Sequence, residues 1–401
     1  MCGIMAGMAI IADIAIIGLG AVGSATLYQA AKLGAKVIGI DRFVPPHDQG
    51  SSHGETRITR QAIGEGREFV PLVLRSNEIW QELEASTGCS LMTRCGGVVL
   101  AAPGLGGSHH GSSSFLLDTI NAAREFSIPH QQLSSDDIRC LYPQFRLTAD
   151  EVGYFEPGAG FLRPEACVET QLEEAKKLGA KVFTSETVLE VRAAGDAVEL
   201  KTDKASYSAA KVILTSGPWM AKLLPPEYAS HFRVYRQTLC WFALQQNFER
   251  YTSERFPVFI WITGSRVQDM LYGFPAIDGS AGGLKVATER YENTVDPDAV
   301  PREVNVESVA EMYSEYVAPR FPDLGSQCLR TATCLYTVTT DAKFVIDYAD
   351  STQNILFASA CSGHGFKHSP AVGEALAQRA LGLPSKINLS SFALERLRQP
   401  G

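Results

Sequence analysis

Arg57 and Arg60 stand three residues apart in Ser51-Ser52-His53-Gly54-Glu55-Thr56-Arg57-Ile58-Thr59-Arg60, with His53 just upstream. A guanidinium is a natural fork for a carboxylate, so this stretch can hold an anionic substrate. A solvated basic loop explains the same residues, since exposed charge is the common case. Lys285 follows Gly282-Gly283-Leu284 in a strand-like segment. It can place one positive charge beside a ring, or sit on a surface strand. Cys334, in Thr333-Cys334-Leu335-Tyr336-Thr337, is either a buried structural thiol or a thiolate bonded to a cofactor. Ser362-Gly363-His364-Gly365-Phe366-Lys367 precedes a helix and can aim backbone N–H groups at electron-rich atoms. The plainer alternative is a glycine loop with Lys367 in solvent.

These residues need a frame, and the first element of one is clear. Ile10–Ile17 is a short, nearly unbroken apolar run that predicts a buried parallel strand. Gly18-Leu19-Gly20-Ala21-Val22-Gly23 follows, then helical Ser24–Leu33, then the strand Lys36–Ile40, ending at Asp41. In such a turn the first glycine permits the tight bend and the second lets a pyrophosphate approach the backbone. The third lets helix and strand pack closely. The helix N-terminus offers unpaired N–H groups to the phosphates, and Asp41 suits a ribose hydroxyl. The motif does not distinguish FAD from NAD, and a glycine turn with no nucleotide is the bland alternative.

Further along, Glu68–Ser86 reads as an amphipathic helix with Val70, Leu74, Ile79, Trp80 and Leu83 on its buried face. Residues 103–114, rich in Gly, Ser and His, read as a surface loop. Helices are expected at Phe115–Phe126, at Ser134–Tyr142 behind a Ser/Asp cap, at Pro164–Leu178, at Asn305–Val317 and near Pro370–Leu381. Strands are expected at Ala180–Thr184, Val188–Arg192, Val198–Thr202 and Lys211–Thr215, a block able to extend the first sheet. Arg233–Leu244 and Val258–Tyr272 are β-like and richer in aromatics. Phe344–Asp347 and Ile355–Ser359 complete the strands.

The chain has 401 residues, 45% of them apolar and 20% charged, enough for a sizeable core in one large domain or two intertwined ones. A formal net charge of −8 argues against nucleic acid as the main partner. The nine cysteines are scattered with no CxxC, which argues against a zinc site or a redox dithiol and fits free thiols in a reducing compartment. Met1–Ala9 is apolar but lacks a basic start, so it reads as an extra start or frayed end. No apolar run is long enough to span a bilayer, and a cytoplasmic location is expected.

GLGAVG, PPHDQGSSHGETRITRQAIGEGREFVPL, CLYTVTTDAKFVID and SGHGFKHSPAVGE together resemble the monomeric sarcosine oxidase and N-methyltryptophan oxidase group of flavoproteins, over nearly the whole chain after Ala12. The resemblance implies an α/β (α+β overall) fold. A Rossmann-like FAD-binding domain of the glutathione-reductase-2, or D-amino-acid-oxidase, type would come from residues 10–88, 155–225 and 322–401. A mixed-sheet substrate domain would come from 89–154 and 226–321. FAD would be linked through a cysteine sulfur to the flavin 8α carbon, with Cys334 at that place. Arg60 and Lys367 match the cations that hold a substrate carboxylate, and Tyr272 and Tyr336 match pocket walls. Arg57 and His53 would lie beside the flavin, and Lys285 matches the lysine that promotes oxygen reduction. Gly18, Gly20, Gly23, Asp41, Arg42, Ser51, Ser52, Thr56, Val188, Gly217, Gly363, His364, Gly365 and Phe366, with Cys334 and Lys367, fall at cofactor-contact positions.

Two departures bear on substrate. Glu289 stands where the sarcosine oxidase pattern has histidine, and Ile63 where it has tyrosine. The resemblance implies oxidation of sarcosine, another N-methyl amino acid or a cyclic imino acid such as pipecolate to an imine, with oxygen reduced to hydrogen peroxide. Glu289 keeps a fructosyl-amine oxidase open, since an acid there can bind a cationic amine or sugar hydroxyls. An NAD-dependent dehydrogenase rests on the glycine motif and Asp41 alone. A non-catalytic nucleotide-binding protein would leave the charged residues as decoration. The partners expected are a small amino-acid-like substrate and oxygen, in a monomer or weak homodimer.

Overall fold

The protein was analysed as a computed structural model that describes residues 12–102, 114–148, 150–266 and 269–397. Met1–Ala9, the start of the first expected strand, and residues 103–113 of the expected loop lie outside the described residues.

Ala12–Ile17 forms the central strand of a sheet of eight described strands. All but one of its residues are buried, as a strand covered on both faces requires. It runs parallel to Val37–Ile40 on one side and to Ser206–Leu214 on the other. Lys181–Phe183 extends the Val37 edge. Ala197–Thr202 and Val188–Ala194 extend the other edge as antiparallel strands, so the middle block joins the first sheet as its pattern predicts. Ile355–Ser359 runs parallel to the end of Ser206–Leu214, and Val345–Tyr348 turns back along it.

The helix Ala21–Lys32 starts at the glycine turn, three residues earlier than expected, because Gly20 itself caps it. It packs between Pro164–Lys177 and Ser369–Ala380. The approach to the last is close: a Cβ on Gly373 would lie 2.7 Å from Ala25. Val70–Thr87, entered through a tight turn at Arg67–Phe69, buries Val70, Ile79, Trp80 and Leu83, with Leu74 half-buried. Ser134 caps Ser135–Leu141 in a reciprocal box with Asp137. Asn305 caps Val306–Glu311, after which the expected helix widens into a π turn at Met312–Val317.

The second sheet, also of eight described strands, is mixed. Its order is Leu324–Val338, Arg233–Leu244, Leu284–Ala287, Met270–Gly273, Val258–Ile262, Gly97–Ala101, Val152–Glu156, Gln131–Leu133. The β-like run Val258–Tyr272 resolves into two strands of an antiparallel pair. Sheet membership cuts across two of the expected boundaries. Leu324–Val338 pairs along the length of Arg233–Leu244, so residues just beyond 322 belong to the second sheet; the return to the first is Val345–Tyr348. Val152–Glu156 straddles the expected break between 154 and 155 and also lies in the second sheet. A small sheet of Arg57–Thr59, Gly160–Leu162 and Met92–Thr93 sits apart from both.

Candidate active site

A cavity of about 470 Å³ is walled by residues of both large sheets. Its floor is the glycine turn. Gly18 has φ +88°, and a Cβ there would lie 2.7 Å from Ser216 Cα. A Cβ on Gly23 would fall inside the Gly18 carbonyl oxygen, at 1.8 Å. Gly18 and Gly20 line the cavity, while Gly23 lies behind them and lets helix and strand meet. This bed fits the pyrophosphate of a dinucleotide: a bare backbone, a helix N-terminus and no acid in the first helical turn.

Asp41 lines the cavity at the tip of the second strand. Its carboxylate accepts N–H bonds from Leu19 at 2.7 Å and Phe43 at 2.8 Å, which ties the strand tip to the glycine turn. Ser52 Oγ accepts from the Ala21 N–H at 3.1 Å. Arg42, Val188 and Gly217 line the far arm. Arg42 lies 5.1 Å from the Phe43 and Trp219 rings and is held by Asp298 at 2.6 Å.

At the other end the expected cations converge. Arg57, Arg60 and Lys367 line the cavity, with Tyr272, Tyr336 and Glu289. Arg60 is buried, donates to the Ala62 carbonyl, and pairs with Glu65 at 2.5 Å. Lys367 Nζ donates to the His364 carbonyl at 2.8 Å and lies 3.7 Å from the same Glu65. Burial, offset in part by Glu65, pushes the Lys367 amine down to about 8. Two cations around one carboxylate leave one positive charge over. The Tyr272 and Tyr336 hydroxyls are 3.2 Å apart. Tyr291 donates to Glu289 Oε2. Gly363, His364, Gly365 and Phe366 complete this wall ahead of the helix Ser369–Ala380.

Lys285, His53, Thr56 and Cys334 do not line the cavity; they form the layer behind it. Lys285 Nζ donates to the Gly54 carbonyl at 2.5 Å, the Thr56 carbonyl at 3.0 Å and Thr56 Oγ1 at 3.0 Å. It stands 4.5 Å from the Phe274 ring centre. Burial first, and then Arg57, hold its amine well below the ordinary lysine range. Burial and Arg57 likewise push His53 down to about 3, so the imidazole is neutral. Its Nε2 has no hydrogen-bond partner among the described residues. Cys334 is buried, with its Sγ 3.4 Å from Arg57 Nη2. Ser51 Oγ donates to the Leu335 carbonyl, which ties the basic loop to the Cys334 strand.

Three residues not singled out by their type join this site. Glu65 pairs with both Arg60 and Lys367, Cys361 lines the wall and packs on the cluster holding Cys334, and Tyr291 anchors Glu289. Glu65 and Cys361 lie inside or beside quoted motifs, which is the one signal that could have found them.

The profile of the family described as FAD dependent oxidoreductase matches residues 13–379. The chain is 36% identical over 387 residues to a monomeric sarcosine oxidase of Bacillus sp. (strain B-0618), covering 96% of each. It is 33% identical over 389 residues to an N-methyl-L-tryptophan oxidase of Yersinia pestis (strain Pestoides F), covering 96% of this chain and 99% of that one. Among solved structures, NikD, an amino acid oxidase essential for nikkomycin biosynthesis, has the same fold. Its TM-score is 0.80 at 21% identity, over 96% of this chain and 98% of that one. A dinucleotide bed, a cluster of cations and these matches converge: the chain belongs to the FAD-dependent oxidoreductases, in the group that holds the monomeric sarcosine and N-methyl-L-tryptophan oxidases.

Proposed function

We propose that the protein oxidises a secondary amine in a small carboxylate-bearing substrate to the imine, with oxygen reduced to hydrogen peroxide. Sarcosine, another N-methyl amino acid or a cyclic imino acid is the substrate. The observation that carries this is the presence of Arg60 and Lys367 in the cavity that also holds the glycine turn. FAD, when bound, supplies the two-electron acceptor. Arg60 and Lys367 receive the carboxylate, each contributing about 1–3 kcal/mol when well formed, and so orient the neighbouring C–H. Glu65 keeps both cations in place. Tyr272 and Tyr336 wall the pocket and exclude water. Lys285 supplies a fixed positive charge for the anion that oxygen becomes on reduction.

Cys334 is the proposed covalent anchor, supported by its place directly behind the cavity-wall residues Ser51, Arg57 and Cys361. We place the enzyme in the cytoplasm, which the eight free cysteines described suit. No described helix is long and apolar enough to cross a membrane. One chain builds the whole cavity, which supports a monomer or weak homodimer.

An anaerobic flavin-bleaching screen tests the reading. N-methyl or cyclic amino acids should bleach the bound flavin. Bleaching by fructosyl-glycine alone would move the assignment to Amadori compounds, through Glu289. No bleaching by any amine would overturn it.

A further inference from the structure

If the arm from Gly18 to Arg42 holds the dinucleotide, as proposed above, the approach from that side is filled, and substrate needs another way in. A second hollow of about 720 Å³ lies outside the cavity, lined in part by Arg233, Tyr235, Tyr291, Glu292 and Asp296. Pro218 and Lys222 line both spaces on the dinucleotide arm, so they abut there; toward the substrate end the link between them is Tyr291. Tyr291 lines the outer space alone and Glu289 the inner space alone. Yet the Tyr291 hydroxyl donates to Glu289 Oε2, and its ring packs on the cluster that holds Cys334 and Tyr336. On the outer side Tyr235 meets the ring edge to face, with centroids 5.4 Å apart at 85°. The half-buried ring is thus a partition one side chain thick. It sits on the irregular stretch after the strand Leu284–Ala287, which lets it turn without breaking a strand.

We propose that Tyr291 is the substrate gate: amines enter from the outer groove when its ring leaves Glu289, and its bulk limits the substituent admitted. The groove suits such a guest. Its lining carries both signs, with Lys222 already paired to Asp296 at 2.7 Å and Arg233 and Glu292 beside them, so it favours no ion of one sign and admits a zwitterion. Glu289 is the first group an incoming ammonium meets behind the ring.

Cys361, on the inner wall, reports entry without any need for amine oxidation. In the holoenzyme, neutral iodoacetamide should alkylate Cys361 in Y291A about tenfold faster than in the wild type, as an opened gate requires. Y291F, which keeps the ring and loses its anchor, should show a smaller rise, and Y291W a fall. The buried thiols Cys167 and Cys240 should keep their rates. Equal Cys361 rates in all variants overturn the gate. So does acceleration shared by Cys167, which would mean a loosened fold. Y291A should also raise the flavin-reduction rate with N-benzylglycine relative to sarcosine by about tenfold. A wild-type enzyme that no amine bleaches would defeat the functional reading, while the gate would still be read at Cys361.

Discussion

Lys367 and Lys285 are both buried ammonium groups, and their neighbours give them different work. Lys367 has Glu65 at 3.7 Å and is pushed down only to about 8. It loses its proton as pH rises through that value in the ligand-free protein. A carboxylate prefers the protonated form. Its dissociation constant should be flat below pH 8 and climb above it, by about tenfold per unit. Flavin absorbance titrations check this, and Lys367→Met should remove the rise; a flat wild-type profile to pH 10 would refute the assignment. The same shift opposes folding below about 8, where a disfavoured charge is carried, and that cost fades as pH climbs toward 10.5. Lys285 donates only to neutral oxygens, and burial, then Arg57, lower its amine well below the ordinary range, so an anion formed beside it favours its charged form. Lys285→Met should slow reoxidation by oxygen about 10²–10³-fold and leave reduction by substrate little changed. Stopped-flow measurement of both half-reactions separates the two, and equal losses would sink the role. Lys367 is legible because it sits in a long ordered motif, whereas Lys285, outside the quoted motifs, is reached only through the family resemblance. Glu65 lies inside a motif, yet its role is not legible: its partners are five residues back in an irregular loop and far along the chain at Lys367, and no spacing rule joins them.

The glycine turn is the element where sequence and structure agree most closely, because its chemistry is backbone geometry. A side chain at position 23 would overlap the Gly18 carbonyl, whereas at Gly34 a Cβ meets nothing within 4 Å. Gly23→Ala should cost about 1–3 kcal/mol as overpacking and lower the flavin bound per chain. Gly34→Ala, at φ +85°, carries only the left-handed penalty and should retain flavin. Thermal unfolding with flavin absorbance per chain measures both, and equal flavin content in the two would count against the dinucleotide bed. Strand partners are less legible than strands. The strand Leu324–Val338 is not among those expected from the sequence: its buried stretch Thr333–Thr337 shows no alternation, and its neighbour Arg233–Leu244 lies far back in the chain. Pairing over such sequence separation is set by tertiary packing, which is why sheet membership crosses the boundary expected at 322 while the strands Arg233–Leu244 and Ile355–Ser359 match to the residue.

At the scale of the molecule, the two halves of the proposed cofactor site belong to different sheets. Gly18 and Gly20 rise from the first, and Cys334 lies on a strand of the second. A cofactor held at both ends would therefore staple the sheets together, and its loss should be felt across the whole fold. The wild-type protein, denatured in acid, should precipitate yellow if Cys334 carries the flavin. Cys334→Ala should release its flavin to the supernatant under the same treatment. The native alanine variant should then depend on free FAD for stability, gaining about 2.7 kcal/mol when FAD stands at a hundred times its dissociation constant. The tethered wild type should show no such dependence. Calorimetry of both proteins with and without added FAD provides the check. A colourless wild-type pellet would remove the tether. A melting temperature in the alanine variant that ignores added FAD would remove the staple as well, leaving each sheet to hold its shape alone.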